Sequence, residues 1–150
     1  MSVEKILKKS KIYELGIAQM FLSRNINDFH QEALSHYGLT PIQWFVLSVI
    51  ADATDRGGIR VTDLASIFSV KTTYITSILN SLRAKAYVET RYDANDARVR
   101  LAIVTKKGAK EAALVEGFVQ KEAGRLLEGI VSEDDFEKYI RVVKRLGQIQ

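Results

Sequence analysis

Residues 61–108 read VTDLASIFSVKTTYITSILNSLRAKAYVETRYDANDARVRLAIVTKKG. Apolar side chains recur every three or four residues in the first half of this run, which is typical of two short helices. In the second half polar and apolar residues alternate, as they do in a half-buried β-hairpin. Two helices joined by a tight turn and followed by a two-stranded ribbon predict a helix-turn-helix with a wing. That arrangement usually holds duplex DNA.

The first helix of this run is short and amphipathic. Its apolar positions follow the spacing i, i+3, i+4, i+7 and comprise Val61, Leu64, Ala65 and Phe68. Thr62 is the predicted N-cap, and Asp63 suits the positive end of the helix dipole. Residues 69–71 are too few for anything but a turn.

The second helix has one apolar stripe and one polar face that lacks acidic residues. The stripe comprises Ile75, Ile78, Leu79 and Leu82. The polar face comprises Lys71, Thr72, Thr73, Tyr74, Thr76, Ser77, Asn80 and Ser81. Hydroxyl and amide groups can contact base edges and phosphates without repelling them, which favours a recognition helix. The alternative is an ordinary polar face of a small helical bundle.

The ribbon has a charged, turn-rich end. Its two strands are predicted around residues 87–92 and 99–104, and the connection contains the turn formers Asp93, Asn95 and Asp96. Arg98 lies at the base of this loop, with Arg91 and Arg100 on either side in the sequence. Such a hairpin has the chemistry of a probe for the narrow, negative minor groove. Asp96 is close enough in sequence to fix either the loop or the guanidinium of Arg98.

The ordered set of these motifs resembles the winged-helix regulators of the MarR (multiple antibiotic resistance regulator) family. The wing signature Asp-x-Arg of that family is present as Asp96 and Arg98. Its following Leu-Thr-x-x-Gly appears as Val104, Thr105 and Gly108, with Val in place of Leu. The family's glycine before the first wing strand is Ala86 here. The resemblance extends over nearly the whole chain.

The predicted fold is mostly α with a small β-wing (α+β), a winged helix-turn-helix with long N- and C-terminal dimerisation helices. We expect a single domain over residues 1–150. Residues 40–108 form its DNA-binding part, and residues 1–37 and 109–150 form the dimerisation helices. The helix over 11–37 is apolar nearly all round in its first half, so a second subunit is needed to cover it.

Helix-capping and turn residues predict the remaining element boundaries. Gly38 is the predicted end of the long helix, and Thr40-Pro41-Ile42-Gln43 is the predicted capping box of the next. The core face of that next helix is predicted to comprise Ile42, Phe45, Val46, Val49 and Ile50. Residues 59–61 are expected to add a short third strand to the wing sheet. A long helix is expected after Gly108, and a capping box from Ser132 to Asp135 before the last helix.

Composition narrows the function. The chain has no Cys and only two His, which disfavours disulfides, thiol switches, structural zinc and most catalytic clusters, so no enzyme, metal site or cofactor is expected. No signal peptide or membrane span is predicted, which indicates a cytoplasmic protein. Residues 60–110 hold ten basic and four acidic residues, whereas the rest holds twelve and fourteen. The basic excess therefore lies on the predicted DNA-binding part.

The resemblance implies a homodimeric transcriptional regulator, most simply a repressor of a palindromic operator. Two copies related by a two-fold axis reach successive major grooves about 34 Å apart. The resemblance also implies control by a small aromatic acid bound between the dimer helices and the DNA-binding part. Candidate residues for that ligand are Tyr13, Phe21, Arg24, His36 and Trp44, with Arg24 as carboxylate partner. The alternatives are a winged helix that binds protein and a ligand-independent DNA-binding module.

Overall fold

The computed structural model describes Lys5 and residues 11–147. The helices within residues 11–147 are α1 (Ile12–Ser35), α2 (Pro41–Thr54), α3 (Val61–Ile67), α4 (Thr72–Ala84), α5 (Lys106–Leu127) and α6 (Glu133–Leu146). The strands are β1 (Ile59–Arg60), β2 (Val88–Tyr92) and β3 (Arg100–Val104). The chain divides into two compact units, Met1–Val115 and Glu116–Gln150, and this division falls within α5.

A three-stranded antiparallel sheet forms the wing in the first unit, with the strand order β1–β3–β2. β2 and β3 are paired over their full length, and Thr90 lies opposite Ala102. Ile59 of β1 lies opposite Ala102 on the other edge of β3, so the expected third strand is confirmed. Gly58 enters this strand with φ of +100°, and a Cβ there would lie 2.7 Å from the carbonyl oxygen of Ala102. Only glycine fits this approach.

The core of the first unit is centred on α2. The buried residues of this helix are Trp44, Val46, Leu47, Ile50 and Ala53. The predicted core face was wrong in part: Ile42 and Val49 are half-buried and Phe45 is exposed. The helix is turned so that Trp44 and Leu47 face inward instead. Because α2 is apolar on most sides, its sequence pattern does not determine which side packs.

The junction between α1 and α2 follows the sequence prediction. Gly38 adopts the left-handed conformation, with φ of +59°, and the next amide donates to the carbonyl of Leu34 at 3.3 Å. Thr40 caps α2: its hydroxyl accepts from the Gln43 amide at 3.3 Å, and the Gln43 side chain accepts from the Thr40 amide at 3.0 Å. The capping box is therefore confirmed.

Two helices begin earlier than their sequences predict. α3 starts at Val61 with Arg60 as its N-cap, so Thr62 lies inside the first turn and the predicted cap was wrong. Strand β1 ends at Arg60 and passes directly into the helix, which leaves no room for a separate cap. α5 starts at Lys106 rather than after Gly108. Thr105 caps it, because its hydroxyl accepts from the Gly108 amide at 2.9 Å.

The second unit contains the end of α5 and the whole of α6. Ser132 is the N-cap of α6, and its hydroxyl accepts from the Asp135 amide at 3.2 Å. This is one half of the predicted capping box; the Ser132 hydroxyl also lies 2.6 Å from the Asp135 carboxylate. The apolar stripe of α6 is exposed within one chain and comprises Phe136, Tyr139, Val142, Val143 and Leu146. None of the helices in the part of the chain that the structure describes could span a membrane.

Candidate DNA-binding surface

Helix α4 is held by its apolar stripe and exposes most of its opposite face. Ile75, Ile78, Leu79 and Leu82 are buried, as predicted. The exposed residues on the other face are Lys71, Thr72, Thr73, Tyr74, Ser77 and Asn80. Thr76 is half-buried, and its hydroxyl donates to the carbonyl of Thr72 at 2.9 Å. The hydroxyl of Thr76 is therefore left mainly as an acceptor for any further partner.

The beginning of α4 is open to an anion. Lys71 is the N-cap, yet no side chain caps the helix and its first turn contains no acidic residue. The preceding turn places Ser69 at a φ of +52°, which brings α3 and α4 into close succession. Unpaired amides at a helix start and the positive end of its dipole attract phosphate oxygens. This end of α4 can thus approach a DNA backbone without repulsion.

Ser81 belongs to a different surface from the one predicted. The Gln43 side chain of α2 donates a hydrogen bond to the Ser81 hydroxyl at 2.9 Å, and this contact is partly buried. Ser81 therefore faces α2 rather than the exposed polar face of α4. The sequence places Ser81 next to Asn80 and does not reveal this contact, since the two partners are 38 residues apart.

The end of α4 shows why the family pattern has a glycine at the position that Ala86 occupies in this chain. The amide of Tyr87 donates to the carbonyl of Leu82 at 3.0 Å, and that of Ala86 to Arg83 at 2.8 Å. This pair of bonds is a Schellman motif, which places its turning residue in the left-handed region. Ala86 occupies that place with φ of +59°. A glycine would adopt this conformation without the steric conflict of a Cβ.

Two aspartates build the wing tip from backbone hydrogen bonds. The Asp93 carboxylate accepts from the amides of Asn95 at 2.8 Å and Asp96 at 3.2 Å. The Asp96 carboxylate accepts from the amide of Arg98 at 2.9 Å. Asp96 thus fixes the loop backbone, which is one of the two roles that its sequence position allowed. Asp93 is a second fixing residue, which the sequence indicated only as a turn former.

The three wing arginines have different surroundings. Arg98 is exposed at the tip and Arg100 is half-buried at the start of β3. Arg91 is also exposed, and its guanidinium donates to the carbonyl of Gly57 at 3.1 Å. Arg91 therefore connects the wing to the loop before β1, and a guanidinium retains further donors for another partner. Arg98 is the one whose backbone is held by Asp96.

The start of α5 is built closely onto the base of the wing. The Thr105 hydroxyl donates to the carbonyl of Ala86 at 2.7 Å while it caps α5. A Cβ added at Gly108 would overlap the carbonyl oxygen of Tyr87. The Thr-x-x-Gly pattern therefore has a physical reason: the threonine caps the helix and the glycine allows the helix to approach the strand.

An aromatic cluster lies between α1 and α2. The ring of His30 lies edge-on to Trp44 and Phe45, with centroids 5.6 and 5.4 Å away, and contacts Phe29 at 5.5 Å. Burial lowers the pKa of His30 below its ordinary value of 6.5. Trp44 is only 7% exposed. Among the described residues, its indole nitrogen and the hydroxyl of Ser48 are buried without a hydrogen-bond partner.

The five candidate ligand residues do not form one site within a single chain. Tyr13, Phe21 and Arg24 lie on the exposed part of α1, and His36 caps the end of the same helix. Helix geometry separates Tyr13 from His36 by about 35 Å. Trp44 lies on α2 in the aromatic cluster. Its ring contacts His30 of α1, a residue outside the five candidates.

A known protein family matches the winged-helix part of the chain. The sequence model of the MarR family matches residues 37–99. The transcriptional activatory protein BadR of Rhodopseudomonas palustris is 33% identical over 76 residues, which are 51% of this chain and 43% of BadR. The aligned part thus spans less than half of that relative.

Solved structures share the fold along almost the whole chain. A mutant of MarR from E. coli, complexed with operator DNA, has a TM-score of 0.77 and 24% identity, covering 91% of this chain and 95% of the other. CouR from Rhodococcus jostii, bound to p-coumaroyl-CoA, has a TM-score of 0.81 and 17% identity, covering 91% and 93%. In the sequence of its winged-helix part and in its fold, the chain is therefore similar to the MarR family of transcriptional regulators.

Proposed function

We propose that this regulator binds a palindromic operator as a homodimer, represses transcription from it in the cytoplasm, and is released by a small aromatic ligand. The observation that carries the proposal is the exposed, acid-free face of α4 in the same unit as a wing whose tip holds Arg98. One element fits a major groove and the other a minor groove. MarR of E. coli, which has this fold, has been crystallised with operator DNA.

The proposed DNA contacts differ in what they read. Thr72, Thr73, Thr76 and Ser77 are proposed to lie in the major groove, with Lys71 and Tyr74 at its rim. Arg91, Arg98 and Arg100 serve the wing, with Asp96 holding its tip. Thr73→Ala is expected to weaken binding to a selected operator by about 1–3 kcal/mol and binding to scrambled DNA much less. Equal losses on both DNAs in a mobility-shift titration would assign Thr73 to a phosphate and contradict base reading.

The proposed dimer rests on apolar surface that one chain leaves exposed. On α1, Tyr13 is 62% exposed, Met20 71% and Phe21 59%. In the second unit, the end of α5 and α6 line an open groove of about 490 Å³ whose lining includes Val119, Leu127 and Phe136. Large exposed apolar surfaces on separate helices are expected to be covered by a second copy.

Assembly can be tested directly. Sedimentation is expected to give a dimer at micromolar protein concentrations. Deletion of residues 1–22 is expected to give an insoluble or unfolded chain, because the first turns of α1 are then missing from the interface. A soluble, folded monomer without those residues would contradict the proposed interface.

Repression is the simplest outcome of a dimer that occupies a promoter, because bound protein excludes polymerase from the same DNA. BadR, by contrast, is named an activatory protein. Transcription in vitro from a promoter that contains the selected operator separates the two directions. We expect less transcript as the protein is added, and more transcript would identify an activator.

The unpartnered polar atoms on α2 support the proposed effector. A buried donor without a partner destabilises a fold by about 1–3 kcal/mol. A ligand that carries a hydrogen-bond acceptor next to an aromatic ring would supply the missing partner to the Trp44 indole nitrogen and the Ser48 hydroxyl. CouR has been crystallised with p-coumaroyl-CoA, an aromatic ligand.

Trp44 is the only tryptophan in the chain, so its fluorescence reports the site directly. Titration with aromatic carboxylates such as benzoate is expected to change this fluorescence and weaken DNA binding in parallel. Ser48→Ala is expected to weaken the ligand effect while it leaves DNA binding unchanged without ligand. A series of aromatic acids that alters neither signal would favour the ligand-independent module.

A further inference from the structure

Helix α2 is attached to α4 at one end by a side-chain hydrogen bond. The Gln43 side chain accepts from the Thr40 amide at 3.0 Å and donates to the Ser81 hydroxyl at 2.9 Å. One amide group therefore closes the cap of α2 and also holds α4 near its last turn. The sequence predicts the first of these contacts and contains no sign of the second.

The opposite end of α2 is attached to the wing. The hydroxyl of Thr54 donates to the carbonyl of Ile50 at 2.9 Å and accepts from the amide of Val104 at 3.1 Å. Thr54 is the last residue of α2, and Val104 is the last residue of β3. The contact is partly buried, so the Val104 amide has a poor alternative partner in solvent.

These two contacts differ in kind from the apolar packing around them. Apolar side chains tolerate small sliding and rotation, whereas a hydrogen bond needs its donor, acceptor and angle in place. Gln43 and Thr54 are eleven positions apart on one helix, which corresponds to about 16 Å along a stiff rod. The two attachments therefore fix α4 and the wing at a set separation.

We propose that Gln43 and Thr54 are positioning residues, which do not touch DNA but set the placement of α4 relative to the wing and thus the preference for the operator. The inference rests on the proposed DNA contacts of α4 and the wing. A wing displaced relative to α4 cannot enter its minor groove while α4 lies in the major groove. Both residues therefore act through other residues that bind the DNA.

Matched substitutions separate hydrogen bonding from shape at the wing end. Thr54→Val keeps the branched side chain and removes the hydroxyl, whereas Thr54→Ser keeps the hydroxyl and removes a methyl group. Thr54→Val is expected to weaken operator binding about three- to tenfold, the range expected when one hydrogen bond is removed, and Thr54→Ser much less. The titrations are performed well below the unfolding temperature of each variant, so that lower stability alone does not change the measured Kd.

The α4 end has its own matched pair. Ser81→Ala removes the link and leaves the Thr40–Gln43 cap intact, and Gln43→Glu keeps the cap while its carboxylate can accept from the Ser81 hydroxyl. Ser81→Ala is expected to lower the ratio of operator to scrambled-DNA affinity about threefold or more. Gln43→Glu is expected to keep that ratio. Ser35→Ala serves as the control, because the Ser35 hydroxyl donates to the carbonyl of Glu32 in its own helix, at 2.7 Å.

Double substitutions test whether the effects on DNA affinity are coupled, which lower stability alone would not produce. If Thr54 acts through the wing, Thr54→Val is expected to weaken DNA binding little further when Arg98→Ala is already present. It is expected to add its full effect to Thr73→Ala. Because the two attachments set one separation, Ser81→Ala is also expected to weaken binding little further in the Arg98→Ala background.

The outcomes also separate this inference from the function on which it rests. If Arg98→Ala and Thr73→Ala leave operator binding unchanged, the proposed DNA contacts are wrong. If those two variants weaken binding but Thr54→Val and Ser81→Ala do not, the DNA contacts stand and the positioning role is wrong. Effects of Thr54→Val that add equally to both of those variants would also overturn it.

Discussion

Asp96 is an acidic residue at the tip of an element proposed to lie against DNA, so its substitution distinguishes two physical arguments. Its carboxylate accepts from the Arg98 amide at 2.9 Å, and Asp93 holds the amide of Asp96 itself. Asp96→Ala removes both the charge and the acceptor. Asp96→Asn removes the charge and retains an acceptor oxygen at the same place.

The two contributions have opposite signs and different sizes. An exposed hydrogen bond of this kind contributes about 1 kcal/mol to holding the loop, and a dimer contains two copies, which gives about 2 kcal/mol. One negative charge about 10 Å from a phosphate in water repels it by about 0.4 kcal/mol, or about 0.8 kcal/mol for the two copies, before screening by salt. The decrease in loop order therefore outweighs the relief of repulsion.

Mobility-shift or fluorescence-anisotropy titrations on one operator are expected to rank the proteins in a definite order. Asp96→Ala is expected to bind about tenfold or more weakly than the parent protein, although it is more positive. Asp96→Asn is expected to bind as tightly or slightly more tightly. Arg98→Ala is expected to bind weakly, and its salt dependence is expected to fall by about one unit for each phosphate that the variant no longer neutralises.

A single result would refute this reasoning. If Asp96→Ala and Asp96→Asn both tighten binding by a similar small factor, the carboxylate acts only as a repelling charge. The backbone hydrogen bond would then have no part in DNA binding. Thermal denaturation of each variant is the control: Arg98→Ala is expected to change stability by less than about 0.5 kcal/mol, and Asp96→Ala by no more than about the 1 kcal/mol of its hydrogen bond.

Four further substitutions test the fold, each by chemical or thermal denaturation. Gly108→Ala is expected to destabilise the protein by about 1–3 kcal/mol, because the added methyl group overlaps the carbonyl of Tyr87. The methyl group of Gly117→Ala meets no atom within 4 Å, so this substitution is expected to stabilise helix α5 by about 0.5–1 kcal/mol. If both alanines act alike, the close approach is wrong. Ala86→Gly is expected to stabilise by about 1 kcal/mol, because φ is +59° there; a decrease in stability would contradict the left-handed conformation. Burial lowers the pKa of His30, so its contribution to stability is complete above its ordinary value of 6.5 and is lost as the pH falls through the lowered pKa. His30→Gln is expected to lose less stability than the parent protein between about pH 7.5 and about pH 5.5, and an unchanged pH dependence would exclude His30 as its source.

Local patterns were sufficient to predict most elements of the fold. The apolar stripe of α4, the capping box of α2, the left-handed Gly38 and the hairpin all follow from spacing and turn chemistry that neighbouring residues carry. Spacing carries no comparable information about α2, whose apolar residues surround most of its circumference. Which of them is buried is decided by the elements that pack on it, since Trp44 and Leu47 are buried where Phe45 was expected.

Contacts between distant residues were outside the reach of local patterns. Ser81 was grouped with the polar face of α4 because helical spacing places it near Asn80, yet it bonds to Gln43 from another helix. The same holds for the bond between Arg91 and Gly57, 34 residues apart. A polar side chain has several possible partners, and only the packed chain shows which one lies within hydrogen-bonding distance.

The motifs that carried the family resemblance have mainly backbone roles. Asp96 holds the amide of Arg98, Thr105 caps α5, and Gly108 allows α5 to approach the strand. Each of these residues fixes the shape of the wing or its base, and none is required to contact a base. The exposed residues of α4, such as Thr73, have no such role in the fold and are therefore free to differ with the operator. Similarity in the motifs thus predicts the shape that is presented to DNA, while the bases that are read depend on residues outside them.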